Sequence, residues 1–125
     1  MVVKIKTSVI GMANVKKFLK GKSKEVLALA DDGIKEAGWF IQGEVVESIS
    51  GHRAETKSVD TGRFKSSVQT TFPKKLQSET STNVKYAKEL EYGTSKMEAR
   101  RHFGNTAKRN EKKVTKFIQD KVDNI

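Results

Sequence analysis

"SKEVLALADDGIKEAGWFIQGEVVESI", residues 23–49, decides how the rest of the chain is read. Leu27, Ala30, Ile34, Ala37, Ile41, Val45 and Ile49 recur every three or four residues, the period of a helix with a buried seam. Ser23 is suited to accept the first free amides, and the spacing predicts a helix over 24–49, about 39 Å long at roughly 1.5 Å per residue. Trp39, Phe40 and Val46 widen the seam beyond one stripe, so this helix is expected to meet neighbours on a second side. Gly33, Gly38 and Gly43 each weaken it by up to ~1 kcal/mol relative to alanine. Their regular spacing follows no helical face, and we do not read them as a packing motif.

Upstream, Val3, Ile5 and Thr7 alternate with Lys4, Lys6 and Ser8, which predicts a strand over 2–9 with one wet face. "ANVKKFLKG" has the pattern of a short helical turn between Gly11 and Gly21. Downstream, "SGHRAETKS" (50–58) has almost no apolar content and reads as a mobile connection that orders against a partner. In "VDTGRFKSSVQTTFPKK", Asp60 or Thr61 is placed to cap a short helix running through Ser66 or Ser67. Val68, Thr70 and Phe72 then alternate as a strand that Pro73 ends or confines to an edge. Leu76 to Val84 is expected to return antiparallel as a weak, largely solvated arm, because "QSETSTN" is so polar. Phe103, Ala107, Val114, Phe117, Ile118, Val122 and Ile125 line one side of a C-terminal helix, a face that Asn110 interrupts. The fold class is therefore α+β: a long N-terminal helix and a C-terminal helix packed on a small antiparallel sheet or hairpin, in a single domain spanning 1–125.

Composition narrows the function classes. With 25 Lys and Arg against 15 Asp and Glu, the formal charge is +10, which favours polyanions or acidic protein surfaces as partners. Every charge before Glu25 is positive, and "RRHFGNTAKRNEKK" holds one acid among many bases. Both runs read as solvated faces, with nucleic-acid contact as the alternative. The absence of cysteine leaves neither a disulfide framework nor a thiolate zinc site. No apolar stretch approaches the ~20 residues that span a bilayer, so a soluble chain without a signal peptide is expected.

Candidate chemistry is sparse. Glu44 and Glu47 share a helical face as a solvated flank, while Glu89 and Glu91 diverge on a helix. His52 and His102, the only histidines, have no metal-ligand spacing, and His102 reads as a boundary residue rather than a general base. No phosphate loop, nucleophile elbow or HExxH motif is present. We therefore expect no enzyme activity, no cofactor and no metal.

One carboxylate asks for an explanation. In "YAKELEYGTSK" (86–96) a helix from about 85 ends near Tyr92, with Gly93 suited to a left-handed C-cap. Glu91 then faces the negative end of that helix dipole, at a cost of about 0.3–1 kcal/mol if uncompensated. A cation is expected beside it, Arg63 or Arg100, within one subunit or between two. The other reading is an exposed carboxylate that contributes nothing.

"VDTGRFKSSV", followed about twenty residues later by "VKYAKELEYGTSKMEARRHFGNTAKRN", resembles the small head–tail joining family of long-tailed bacteriophages, also called tail-completion, neck or minor tail component proteins. The resemblance covers residues 59 to about 110. Asp60, Thr61, Gly62 and Arg63 match its first motif; Tyr86, Ala87, Glu91, Gly93 and Thr94 match its second; Arg100 and Phe103 lie where the last helix opens near an aromatic. The family usually has a proline beside that aromatic, where this chain has Arg101 and His102. The resemblance implies a non-enzymatic virion protein, assembled in the host cytoplasm, that forms a ring in the neck, by expectation a hexamer. Its implied partners are copies of itself, the head connector or adaptor, tail proteins, and non-specifically the double-stranded DNA in the channel; no membrane is implied. The alternative is a stand-alone basic nucleic-acid-binding domain.

Overall fold

The structure is a computed structural model that describes residues 3–6, 23–58 and 62–123. Its elements in order are β1 (Val3–Lys6), α1 (Lys24–Ile49), α2 (Arg63–Ser67), β2 (Gln69–Thr71), β3 (Glu79–Thr82), α3 (Ala87–Tyr92), α4 (His102–Arg109) and α5 (Glu111–Asp123). This is the expected α+β class, with the long helix where the period placed it. The expected turn over residues 13–21, the capping by Asp60 or Thr61, and Ile125 lie outside the described residues.

α1 forms because its apolar positions keep the 3.6-residue period over 26 residues and Ser23 Oγ accepts from the Val26 amide. Ala30, Ile34, Ala37, Ile41, Val45 and Ile49 are all fully buried. The wide seam meets α5, α4 and the sheet, and two of the glycines mark the contacts with α5 and the sheet. A Cβ on Gly33 would lie 2.9 Å from the Ile118 Cα on α5, and one on Gly38 would lie 2.8 Å from Ser78 Oγ beside β3. The five-residue step rotates from one partner to the other, so the sequence reading that denied these glycines a packing role is corrected at both positions. Gly43 faces open space and keeps the plain helix penalty.

The sheet has the order β1-β3-β2, with both pairings antiparallel and Thr80 opposite Ile5 and Thr70. The expectation of a solvated second arm is overturned, because β3 is the central strand and Thr80 and Thr82 are almost wholly buried. Hydroxyl pairing makes this tolerable: Thr80 Oγ1 meets Thr70 Oγ1 at 2.9 Å, Thr82 Oγ1 meets Ser67 Oγ at 2.5 Å, and Thr70 Oγ1 donates to the Gly38 carbonyl at 3.3 Å. Asp31 on α1 accepts from the Leu76 amide at 2.7 Å, anchoring the turn where Leu76 adopts φ 61°.

The C-terminal helical pattern divides at Asn110. There φ is −107°, and Asn110 is buried with its side-chain amide donating to the Thr106 carbonyl at 2.9 Å. α5 lays Val114, Ile118 and Val122 along α1, and α4 turns Phe103 and His102 into the same core.

Candidate functional site

The densest polar geometry lies where the end of α1, the 50–58 loop and the start of α4 meet. Glu55 is the loop's one acid, and its side chain is 2 % exposed. It accepts from Arg109 through both guanidinium ends at 3.0 Å, from Asn105 Nδ2 at 3.1 Å and from Ser48 Oγ at 2.5 Å. Burial pushes this carboxyl up, but the hydrogen bonds from Arg109, Ser48 and Asn105, with the Arg109 charge, outweigh it and hold the pKa at about 2. The loop read as a mobile connection is thus tied down at its middle by an ion pair whose carboxylate is buried, and at its end by the Ser58 amide on the Ile49 carbonyl at 2.8 Å.

His102, fully buried, bridges two serines: Nδ1 lies 2.8 Å from Ser48 Oγ and Nε2 lies 2.7 Å from Ser58 Oγ. Because Ser48 spends its proton on Glu55, its oxygen accepts from Nδ1–H, and Nε2 accepts from the Ser58 hydroxyl. Arg100 Nη1 completes the line, donating to Ser58 Oγ at 2.7 Å and to the Lys57 carbonyl at 3.0 Å. Burial lowers the imidazole pKa to about 4; Glu55 opposes that shift and Arg100 adds to it. A base that weak sits almost entirely neutral at pH 7 without the driving force for proton abstraction. The chain Arg100, Ser58, His102, Ser48, Glu55, Arg109 acts as a strut joining three segments.

Glu91 completes the junction from the other side. Within one chain, the expected arginine partner is corrected, and so is the idle exposed carboxylate. Glu91 is 4 % exposed and accepts from the backbone N–H of Phe103 at 2.9 Å and of Gly104 at 2.8 Å. Among the described residues it forms no ion pair. The positive end of α4's dipole, with its unsatisfied amides, answers the carboxylate instead. Gly93 has positive φ as expected, but with ψ 174° it lies in an extended region open essentially to glycine alone rather than in the left-handed helical one. A Cβ there would lie 2.7 Å from the Ala99 amide nitrogen.

The other motif residues fall around the same core. Gly62 precedes α2 at φ 79°, Arg63 opens that helix, and Phe64 stacks edge-on against both Tyr86 and His102, each at 5.9 Å. Ala87 and Phe103 are buried, and Thr94 closes a small loop with Met97 through paired backbone bonds. Asp60 and Thr61 lie outside the described residues. Arg101, which precedes α4, takes φ 49°, an angle that proline's ring forbids.

Sequence reasoning missed Ser48, Glu55, Ser58, Asn105 and Arg109. One signal was present: Ser48 interrupts the apolar seam three residues after Val45, a position where a polar side chain calls for a buried partner. Of the α1 pair read as a solvated flank, Glu47 is half-exposed and binds His52 at 2.5 Å, whereas the Glu44 side chain is mostly buried and bound to Arg53 at 2.6 Å, which corrects the reading there.

Three large aromatics stand out from the surface: Trp39, Tyr86 and Tyr92, at 54 %, 42 % and 58 % exposure. Lys108, Lys112, Lys113 and Lys116 are exposed along the end of α4 and the start of α5. No metal-holding cluster occurs among the described residues, and no helix among them is long and apolar enough to cross a membrane. Comparison with protein-family models, curated proteins and solved structures finds no match.

Proposed function

We propose that this chain is a structural protein of a phage virion, a head–tail joining component that assembles as a ring in the neck around the DNA channel. The observation that carries the reading is the convergence of the two motifs. Phe64 beside Gly62 and Arg63, and Tyr86, Ala87, Glu91 and Phe103 from the second stretch, pack at one junction, where ring contacts and the Glu91 cap give them distinct physical roles. The Phe64–Tyr86 contact supports reading the two stretches as parts of one structural unit. The exposed Trp39, Tyr86 and Tyr92 supply apolar surface that neighbouring subunits would cover, and the +10 charge suits a component placed close to DNA or acidic neighbours.

Native mass spectrometry with negative-stain imaging of the purified chain tests this: rings of defined stoichiometry are expected. A monomer that binds duplex DNA with affinity falling steeply as salt rises would overturn it in favour of a stand-alone nucleic-acid-binding domain.

A further inference from the structure

The imidazole of His102 lies between two hydroxyls that respond unequally to a second proton. On the Nδ1 side nothing changes: Nδ1–H donates to Ser48 Oγ at 2.8 Å in either state, and Ser48 gives its own proton to Glu55 at 2.5 Å. On the Nε2 side the bond inverts. Neutral Nε2 accepts from the Ser58 hydroxyl at 2.7 Å; as N–H it faces an oxygen that already accepts from Arg100 Nη1 at 2.7 Å. The other acceptor for the Ser58 proton, the Thr56 carbonyl, is 3.4 Å away, longer than the usual O–H···O range. Two cations then crowd one hydroxyl beside a fully buried imidazole. Of the charges that act on His102, Glu55 favours the imidazolium, whereas Arg100 opposes it together with burial. α2 packs the Phe64 ring against it, Glu91 from α3 is engaged with the Phe103 and Gly104 amides, and Arg109 of α4 is bound to Glu55. Lys57, Arg63, Lys65 and Arg101 are exposed.

The end of the loop is also lightly fastened. Thr56 and Lys57 are exposed, and residues 55–58 include no aliphatic or aromatic side chain. The backbone is held by the Ser58 amide on the Ile49 carbonyl at 2.8 Å and by Arg100 at the Lys57 carbonyl at 3.0 Å. Segments with so little apolar anchoring open at less than the global cost.

We infer that Ser58 is a proton-operated latch. When a proton from solvent reaches His102 Nε2, Lys57 and Ser58 lift off the imidazole and off Arg100, while Glu55 keeps its place on Arg109. The latch goes beyond the neck-ring reading and stands without it. Opening puts Nε2 in water, where an imidazole titrates near ~6.5, against about 4 in the closed site. The opening equilibrium is therefore smallest above the upper value and grows about tenfold per pH unit as the pH falls toward the lower one.

Amide hydrogen exchange of the full chain, followed by NMR from pH 7 to 4.5 and corrected for its intrinsic pH dependence, tests this. His52→Gln is made throughout so that His102 is the one imidazole. Glu55, held at about 2, does not titrate in that window. The Ser58 amide is expected to exchange at least about tenfold faster than that of Ile41 in the buried middle of α1, and to ignore urea concentrations to which Ile41 responds. Its protection is expected to fall about tenfold per pH unit below pH 6.5, and His102→Gln to remove that dependence. Ser58 protection that matches Ile41 in size and urea response makes the opening global and overturns the latch. A local opening that stays flat from pH 7 to 4.5, or whose slope survives His102→Gln, overturns the role of the proton. The comparison with Ile41 and the pH profile need no change at His102, so they decide the matter even where that variant fails to fold.

Discussion

Acidification should destabilise this protein in two steps, the first set by a single buried ring. His102 remains neutral in the folded state down to about pH 4, whereas in an unfolded chain an imidazole titrates near ~6.5. Between these values the unfolded state binds the additional proton, so stability is full above the upper value and is lost as the pH falls toward the lower one. The slope approaches ~1.4 kcal/mol per pH unit, and a gap of about 2.5 units amounts to roughly 3 kcal/mol. That is a large share of the ~5–15 kcal/mol that holds a domain together. Glu55, held at about 2, has the opposite charge type but the same sign of effect. Its stabilisation is present above the unfolded carboxylate pKa of ~4.3 and is lost as the pH falls toward 2. Urea unfolding at half-unit steps from pH 7.5 to 4 measures the first step, and an NMR titration of the ring reads its pKa. His52, exposed and bound to Glu47, is replaced by Gln in every sample so that one imidazole remains. Adding His102→Gln should flatten the profile between pH 6.5 and 4.5 whatever it costs at pH 7. An unchanged slope in that variant, or a folded-state ring that titrates near 6.5, would refute the reasoning.

Glu91→Gln should cost about 2 kcal/mol, because it removes the charge facing α4's first amides and turns an NH₂ toward one of them; a thermal melt identical to wild type would contradict the cap. Gly43→Ala should stabilise by about 0.5–1 kcal/mol, since nothing lies within 4 Å of the new Cβ. Gly38→Ala should destabilise by about 1–3 kcal/mol, because its Cβ would press on Ser78 and Thr70. The same assay reads both, and equal effects would disprove the close approach of α1 to the sheet.

Much of this fold was legible before any coordinates. The bounds of α1, its Ser23 cap and the return of β3 on β2 follow from period, capping chemistry and Pro73, all of which act between residues near in sequence. The errors share one cause. β3 looked solvated because its residues are polar; it is buried because Ser67, Thr70 and the Gly38 carbonyl, all distant in sequence, satisfy its hydroxyls. The loop 50–58 looked free because it lacks apolar side chains, and its anchor is a carboxylate whose partners lie about fifty residues downstream. Glu91 needs compensation on local grounds alone, but what answers it is a distant helix end rather than a side-chain cation.

By itself the sequence determined α1, the helical period of the C-terminal segment, the β2 alternation, the surplus of positive charge and the need for something opposite Glu91. Each of these depends on local spacing or on a sum over the chain. Tertiary structure alone decided that Gly33 and Gly38 serve two different partners, that Ser48, His102 and Ser58 line up between Glu55 and Arg100, and that the start of α4 answers Glu91. Those outcomes depend on which distant groups lose water together, and a buried polar atom must find its partner wherever the packed chain brings one within hydrogen-bond reach.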